Sequence, residues 1–503
     1  MKKQTFALIL AMCVCSICTF AQRTDLSHPL SIKGTLNKTY QAIPSGSEIE
    51  LTGVCKISFG TNNEIVLVTK TDERSYIVPI KKLKDMTLTP TNTQSFWDLA
   101  FLANGMYQYY NKKGYFYAQR DELNNEADDY VKELINSHLL YEDEYIEDYI
   151  QSVFIKIAPR MVDPKRPGLS SIRILKSPGP DSYMLPNGTL IITTGLLATL
   201  ESEEELTAIL ASEMAHYVLD HQVVNVHKQL VRAQRAEFWG SIVQGLAEGV
   251  DMSLSERYEY YVPGTVSDLT YIISAAVING MNERMGMLYT DKQITQSDRI
   301  ASDYLQMNNI DPKYLASALT KIWNYYHAQR DFYVLSKRGN YAQLWDRILL
   351  AGSETKEANH AYLKKVSGVI TSNAIIQMMK KDYEAAAILA QKNIDNEVAT
   401  DDDYIILAKA NMGMYNTPEE NERSMKLIQK AISMTNIPNV NAYKQEILLL
   451  LRMNKQGKGA DALKTYINIL DQIKQHATIS EDINWAIGEI NWADKLLQRV
   501  SIM

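Results

Sequence analysis

The stretch LASEMAHYVLDH, from Leu210 to His221, carries residues whose types and spacing suggest metal chemistry. In an α-helix, residues four apart lie on one face, so two histidines in the pattern H-E-x-x-H can bind one zinc ion while the glutamate reaches its bound water. Here Glu213 has the position of the general base and His216 that of the second ligand, but Ser212 replaces the first histidine. A neutral hydroxyl is a poor substitute for imidazole on zinc. The pattern therefore keeps the spacing of a zinc site without its full ligand set.

Short strands and a marked helix start are predicted to position this motif. The runs SSIRILKS and TLIITT have the composition of strands, and they flank the turn LPNG. Ser202 followed by Glu205 matches the capping pattern S-x-x-E, which satisfies free amides in the first turn of a helix. We therefore expect the motif helix to begin just after Ser202 and to follow a small sheet.

The block LPNGTLIITTGLLATLESEEELTAILASEMAHYVLDH resembles the central block of the CaaX-prenyl-protease and HtpX-type family of zinc metallopeptidases. The resemblance covers roughly residues 142–315 and implies a zincin-like peptidase domain. The third zinc ligand of that family is the glutamate of an E-x-x-x-D motif on a later helix. In YTDKQITQSDRIASDYLQMNNIDP this position is Ile294, whose side chain cannot bind a metal, while Asp298 matches the aspartate.

Of the three ligands that the resemblance implies, only His216 remains. Catalytic zinc sites use three protein ligands and keep a fourth position for water, so we expect no cofactor and a vestigial general base in Glu213. Zinc is expected only if the chain is an active member of the family. On a continuous helix His221 lies about 140° round from His216, so we do not expect the two to bind one ion.

Two further expectations concern residues around the motif. In related zincins the aspartate supports a metal-ligating histidine, so with serine in that place we expect a hydrogen bond between Ser212 and Asp298. Ser212, His216 and Asp298 are also the residue types of a hydrolase triad, but no strained nucleophile turn accompanies them. By resemblance, the strand formed by Thr189, Leu190, Ile191, Ile192 and Thr193 is expected to lie near the cleft and to bind extended peptides by main-chain hydrogen bonds.

The N-terminus has the composition of a secretory signal peptide. Lys2 and Lys3 precede a mainly apolar run that ends at small residues near Ala21, and this run is too short to span a bilayer. Removal of residues 1–21 would leave Cys55 as the single cysteine, so no internal disulfide is expected. We expect a periplasmic protein without a later transmembrane segment. A net charge of -7 spread along 503 residues gives no basic stripe and excludes nucleic acid as a partner.

The rest of the chain predicts an α+β fold with four regions after the signal. We expect a small antiparallel β domain over residues 22–95, a helical connector over 96–141, the metallopeptidase-like domain over 142–347 and helical hairpin repeats over 348–503. Small residues recur in amphipathic helices of the last region at a spacing of 38, namely Ala386, Ser424 and Ala462. This spacing resembles a tetratricopeptide array with weak signatures, and a plain helical bundle is the alternative.

An exported metallopeptidase-like domain followed by such repeats is similar in layout to periplasmic protease-chaperones that tend outer-membrane barrel assembly. The leading hypothesis is a catalytically inactive peptidase homologue that binds envelope proteins or extended peptides in quality control, with a protein partner on the C-terminal helices. The alternative is an active zinc-dependent metalloendopeptidase that degrades misfolded envelope proteins. A structural scaffold is the third hypothesis.

Overall fold

The computed structural model describes residues 27–59, 62–72, 74–111, 114–162, 171–229, 289–329, 343–478 and 480–502, together with Arg166 and Leu169. The expected signal peptide, residues 1–21, lies outside the described residues. The fold is mixed α+β, with most strands near the N-terminus and a long helical C-terminal part. No helix within the described residues is long and apolar enough to cross a membrane.

The elements follow one another in a simple order along the chain. The strands are β1 (Ser27–Leu36), β2 (Glu48–Phe59), β3 (Asn62–Thr71), β4 (Arg74–Pro79), β5 (Met86–Thr89), β6 (Ile172–Leu175), β7 (Ser182–Met184) and β8 (Leu190–Thr193). The α-helices are α1 (Thr93–Ala103), α2 (Gly114–Asn136), α3 (Glu144–Ile157), α4 (Thr194–Thr199), α5 (Glu203–Val218), α6 (His221–Gln229), α7 (Asp291–Met307), α8 (Lys313–Ala328), α9 (Leu344–Ala351), α10 (His360–Met379), α11 (Tyr383–Asp395), α12 (Asp401–Met414), α13 (Pro418–Met434), α14 (Val440–Arg452), α15 (Gln456–His476) and α16 (Ser480–Ile502). Two short 3₁₀ helices cover Ile80–Asp85 and Met106–Asn111.

The N-terminal strands form a five-stranded antiparallel sheet in the order β4-β3-β2-β1-β5. Alternating apolar residues of these strands pack on one face of the sheet, as the sequence pattern predicts. Gly34 is required where β1 meets β5, because a Cβ there would lie 2.3 Å from the carbonyl oxygen of Thr87. The buried face continues into the helical core without a break, so this sheet shares its core with the following region.

The residues predicted to form a helical connector are helical, and their apolar side chains are buried in that core and in a second cluster. Helix α1 begins just before the predicted end of the β domain, because Asn92 accepts from the Ser95 amide and the Ser95 hydroxyl accepts from the Asn92 amide. Trp97 and Phe101 of α1 are almost fully buried. Helix α2 packs its apolar face against β7 and β8. Residues 96–141 are thus largely helical, and they pack their apolar side chains against both sheets.

A second, three-stranded sheet lies before the motif helix, in the order β6-β8-β7. Strand β6 runs parallel to β8, whereas β7 and β8 form an antiparallel hairpin. The predicted LPNG turn closes this hairpin, with Gly188 at φ 83 donating its amide to the carbonyl of Leu185. Helix α4 starts directly after β8, and α5 then runs against β7.

The C-terminal helices from α10 to α16 pack consecutively, each against the next one. Helices α10 and α12 also pack together, as do α12 and α14, which is the arrangement of stacked antiparallel pairs. Of the three small residues at the 38-residue spacing, Ala386 and Ser424 are buried and Ala462 is partly buried. A buried Asp403 in α12 accepts hydrogen bonds from Thr371 of α10 and Asn393 of α11, and so ties three helices together.

The C-terminal helices contact the segment that joins the second sheet to the motif helix. Lys392 of α11 donates to the carbonyl of Ala198 at the end of α4, at 2.9 Å, and forms an ion pair with Glu201 at 3.3 Å. The carbonyl of Glu201 accepts from the backbone amide of Asn359. A cation at a helix C-terminus is favoured by the free carbonyls there. The stacked helices thus hold the chain just before the motif helix begins.

Candidate functional site

Helix α5 carries the motif and is buried along nearly its whole length. Its N-cap is Ser202, which accepts from the amide of Glu205 at 3.1 Å, as the sequence predicts. The carboxylate of Glu205 accepts from the amide of Glu201 rather than from that of Ser202. It also accepts from Lys321 and Ser317 of α8. The start of the motif helix is therefore fixed by hydrogen bonds both within the chain segment and to α8.

Four motif positions meet in one small cavity. Ser212, Glu213 and His216 of α5 and Ile294 of α7 line a space of about 40 Å³, which is closed by β7 on one side and by α8 and α9 on the other. Ile294 is 2% exposed, and its hydrocarbon side chain faces this space. The structure thus brings these four motif positions together around one cavity.

The predicted hydrogen bond between Ser212 and Asp298 is present. The hydroxyl of Ser212 donates to Oδ1 of Asp298 at 3.0 Å. Arg347 of α9 also donates to this carboxylate through two nitrogens, each at 2.8 Å, in the bidentate arrangement that favours arginine. Sequence reasoning missed Arg347, because no motif in the stretch around it indicates chemistry. The aspartate is therefore satisfied by a serine and an arginine.

Glu213 lies between the motif helix and the edge of the second sheet. Its Oε1 accepts from the hydroxyl of Ser182 at 3.4 Å, and the backbone amide of Met184 also donates to its carboxylate. Its Oε2 is buried without a hydrogen-bond partner among the described residues. Burial raises the pKa of Glu213 to about 8, and Arg347 together with the two hydrogen bonds only partly offsets this effect. The carboxyl group is therefore mostly protonated at neutral pH.

His216 is in contact with two aromatic rings. Its ring stacks on Tyr289 with the centroids 3.6 Å apart, and its Nδ1 lies 3.0 Å from Nδ1 of His221. Burial lowers the pKa of His216 well below 6.5, and the neighbouring His221 and Arg347 lower it further. Burial also lowers the pKa of His221 to about 4. Both rings are neutral at neutral pH, so one Nδ1–H can donate to the other nitrogen.

The expectation that His221 lies away from His216 was wrong, because the helix does not continue through it. Helix α5 ends at Val218, and Asp220 has a left-handed backbone at φ 57. Aspartate tolerates this conformation better than most residues. Arg120 donates to the Asp220 carboxylate, and Arg166 forms an ion pair with it at 3.6 Å. The turn directs the chain back, so that α6 begins with His221 against His216.

The expected peptide-binding strand is also wrong in its position. Thr189 to Thr193 cover strand β8, which is paired with β6 on one edge and with β7 on the other. Neither edge of β8 can add a further strand, and its residues are at most 3% exposed. The edge that adjoins the motif helix is β7. The expectation came from the resemblance, which did not give the order of the strands in this sheet.

The side chains of this site do not fit the zinc site that the resemblance implies. Ile294 offers no donor atom, the hydroxyl of Ser212 is committed to Asp298, and Arg347 places a cation in the same cleft. Within the described part of the chain, no three His, Cys, Asp or Glu side chains come together as a metal cluster. A hydrolase triad does not fit either, because the carboxylate contacts the serine directly and the histidine does not lie between them.

Residues 145–343 match the model described as Peptidase family M48, and these residues include the motif helix, Ile294 and Asp298. No curated protein matches the chain. The match agrees with the small mixed sheet that precedes the motif helix and with the later helix that carries Asp298. Residues 145–343 are therefore similar to Peptidase family M48, and the match covers less than half of the chain.

Proposed function

We propose that this chain is an exported, non-catalytic homologue of the M48 metallopeptidases that binds envelope proteins or extended peptides in a chaperone or quality-control role. The observation that carries the proposal is the make-up of the cleft. Two of the three expected ligand positions carry side chains that do not suit zinc. Ser212 uses its hydroxyl to donate to Asp298, and Ile294 has a hydrocarbon side chain. One imidazole cannot hold zinc against water and other protein sites, and Glu213 then has no acidified water to deprotonate.

The C-terminal helices supply the second part of the proposal. Stacked antiparallel helix pairs present an extended surface that commonly binds a protein partner, and the pairs from α10 to α15 have this arrangement. We propose that they form a tetratricopeptide-like array that holds an envelope protein. Export rests on the N-terminal charge and the apolar run that follows it.

An active zinc metalloendopeptidase of the same family is the second candidate. It is favoured by the family match and by the retention of Glu213 and His216 at their motif positions. In this case zinc would be held by a ligand arrangement other than that of the H-E-x-x-H motif. The two candidates differ in metal content and in the effect of Glu213 on cleavage.

Metal analysis and proteolysis of the purified full-length protein decide between them. We expect zinc well below one ion per chain and no casein cleavage above background, with identical traces for the wild type and Glu213→Gln. Stoichiometric zinc together with cleavage that Glu213→Gln abolishes would establish the active peptidase instead.

Crosslinking in cells tests the binding role. A photoreactive residue is placed at Tyr404 of α12 or at Tyr443 of α14, both of which are partly exposed on neighbouring helices. We expect several envelope proteins to be captured, and more of each after heat stress. Capture of a single protein at constant stoichiometry would favour a structural scaffold, and this result would overturn the quality-control role.

A further inference from the structure

The cleft is narrow in this structure. Its volume of about 40 Å³ is far below the roughly 300 Å³ at which ligand pockets begin. Its walls are β7, the motif helix α5, α7, α8 and the short helix α9. An extended peptide could reach the sheet edge only after one of these walls has moved. The contacts that hold the walls together therefore decide whether the cleft can bind anything.

On the sheet side, the edge of β7 that faces away from β8 already has hydrogen-bond partners. The carbonyl of Asp181 accepts from the amide of Thr193, and the amide of Leu185 donates to the carbonyl of Thr189. Antiparallel pairs alternate, so the backbone groups of Ser182 and Met184 point away from β8 and toward the motif helix. The amide of Met184 donates to Glu213, and its carbonyl accepts from Gln222 of α6. Both groups that an added strand would use at Met184 are occupied by side chains.

On the helical side, α9 packs against α8 and is also held over the cleft by an ion pair. Leu344 and Ile348 are the buried residues of this eight-residue helix, so little apolar area anchors it. Its outward face is apolar and exposed, with Trp345 at 52%, Leu349 at 54% and Leu350 at 72%. Arg347 provides the polar anchor through its bidentate contact with Asp298, which Ser212 also contacts.

We propose that the former catalytic positions act as a clasp that keeps the cleft closed. The clasp consists of two sets of contacts. Glu213 of α5 and Gln222 of α6 bind the backbone of Met184 in β7, and Asp298 of α7 binds Arg347 of α9. An extended polypeptide segment pairs with β7 only after the clasp has opened. This inference rests on the proposed polypeptide-binding function and assigns the motif residues a structural role in regulating it.

Residue-resolved hydrogen exchange on the full-length protein tests the clasp without a ligand. In Glu213→Ala the Met184 amide loses its acceptor, and we expect it to exchange about tenfold faster. The Leu185 amide should not change, because its acceptor is Thr189. Glu213→Gln keeps an acceptor oxygen and should preserve protection. Glu204→Ala, in the first turn of the same helix, is the matched control. Unchanged exchange of Met184 in Glu213→Ala would overturn the proposal.

Binding of a labelled extended peptide tests whether opening the clasp makes β7 accessible. The probe is a fluorescein-labelled hexapeptide of alternating threonine and valine, measured by anisotropy. We expect Glu213→Ala/Gln222→Ala and Arg347→Gln each to bind it about tenfold more tightly than the wild type, since less of the protein remains closed. Faster exchange at Met184 with no gain in affinity would overturn the proposal. Stoichiometric zinc with Glu213-dependent cleavage would overturn the proposed function instead, so the two failures are distinct.

Discussion

Glu205 and Glu213 lie eight residues apart on the same helix, yet their surroundings differ sharply. Glu205, at the N-terminal end, is fully buried and accepts from the Glu201 amide, the Ser317 hydroxyl and Lys321. Glu213, at the other end, has two weaker hydrogen bonds through one side of its carboxyl group and a second oxygen without a partner among the described residues.

The difference shows which end of the helix is built for stability and which keeps the layout of a reaction site. Buried carboxylates that serve structure alone are satisfied by cations and donors, as Glu205 is. A carboxyl group left partly unsatisfied in a cleft is typical of positions selected for chemistry. Helix α5 thus joins a structural end, where the carboxylate is fully satisfied, to a cleft in which the carboxyl group is only partly satisfied.

The largest effect is expected from restoring the ligands at the Glu213 end. Ser212→His combined with Ile294→Glu provides three protein ligands together with His216, and we expect the double variant to bind about one zinc ion per chain. Each single change supplies one ligand too few and should leave zinc near background. Inductively coupled plasma mass spectrometry on the full-length protein measures the content. A double variant without zinc would mean that the cleft differs from an active site in more than its ligands.

Removing the carboxylate at the structural end should be the costlier of the two glutamate changes. Glu205→Ala leaves Lys321 with one carboxylate partner and Ser317 without its acceptor, and we expect a loss of about 2–4 kcal/mol in the free energy of unfolding. Glu205→Gln keeps an acceptor and should cost about half as much. Urea unfolding measures both. If Glu213→Ala lowers the free energy of unfolding as much as Glu205→Ala does, the two ends of the helix do not differ in their contribution to stability.

The ion pair between Asp298 and Arg347, which lies beside Glu213, should have a larger interaction energy than a surface ion pair. A double-mutant cycle on Asp298→Ala and Arg347→Ala is expected to give about 2 kcal/mol of interaction energy, because both side chains are only 14% exposed. The same cycle on Asp129 and Lys132, whose side chains are more than two-thirds exposed, should give less than about 0.5 kcal/mol. Equal coupling in the two cycles would argue that α9 is not anchored by Arg347.

The smallest effect concerns the pH dependence of Glu213. Its pKa of about 8 in the folded protein exceeds the ordinary value of 4.5, so its contribution to stability is fully present below pH 4.5 and is lost as the pH rises through 8. Glutamine does not titrate, so the free energy of unfolding of Glu213→Gln should rise relative to that of the wild type as the pH increases from 4.5 to 8. Thermal unfolding at a series of pH values measures the difference. A difference that does not change with pH would contradict the burial of this carboxyl group.

Much of the site could be predicted from sequence because it depends on short-range rules. The capping of α5 by Ser202, the turn at Gly188 and the contact of Ser212 with Asp298 follow from spacing on helices and from the matched motif positions. These features need only the local chain and the assumption that two helices pack. The placement of Ile294 opposite the motif helix is of the same kind.

The features that escaped prediction depend on tertiary structure. Arg347 enters the cleft from a helix more than a hundred residues after the motif, and no local pattern marks it. The turn at Asp220 has neither glycine nor proline, so the contact between His216 and His221 could not be expected. The central position of β8 depends on the order of the strands in the sheet. The same three strands could be arranged in more than one order, so the sequence of each strand does not decide it.

Lys392 has a consequence for the mechanics of the molecule. Because its ammonium group rests on the carbonyl end of α4 and on Glu201, a displacement of helix α11 pulls directly on the residues before the first turn of α5. The contacts of Lys392 therefore link the helical array directly to the chain that precedes α5. This link reaches the helix that bears Ser212 and Glu213 from its N-terminal side and does not pass through the cleft.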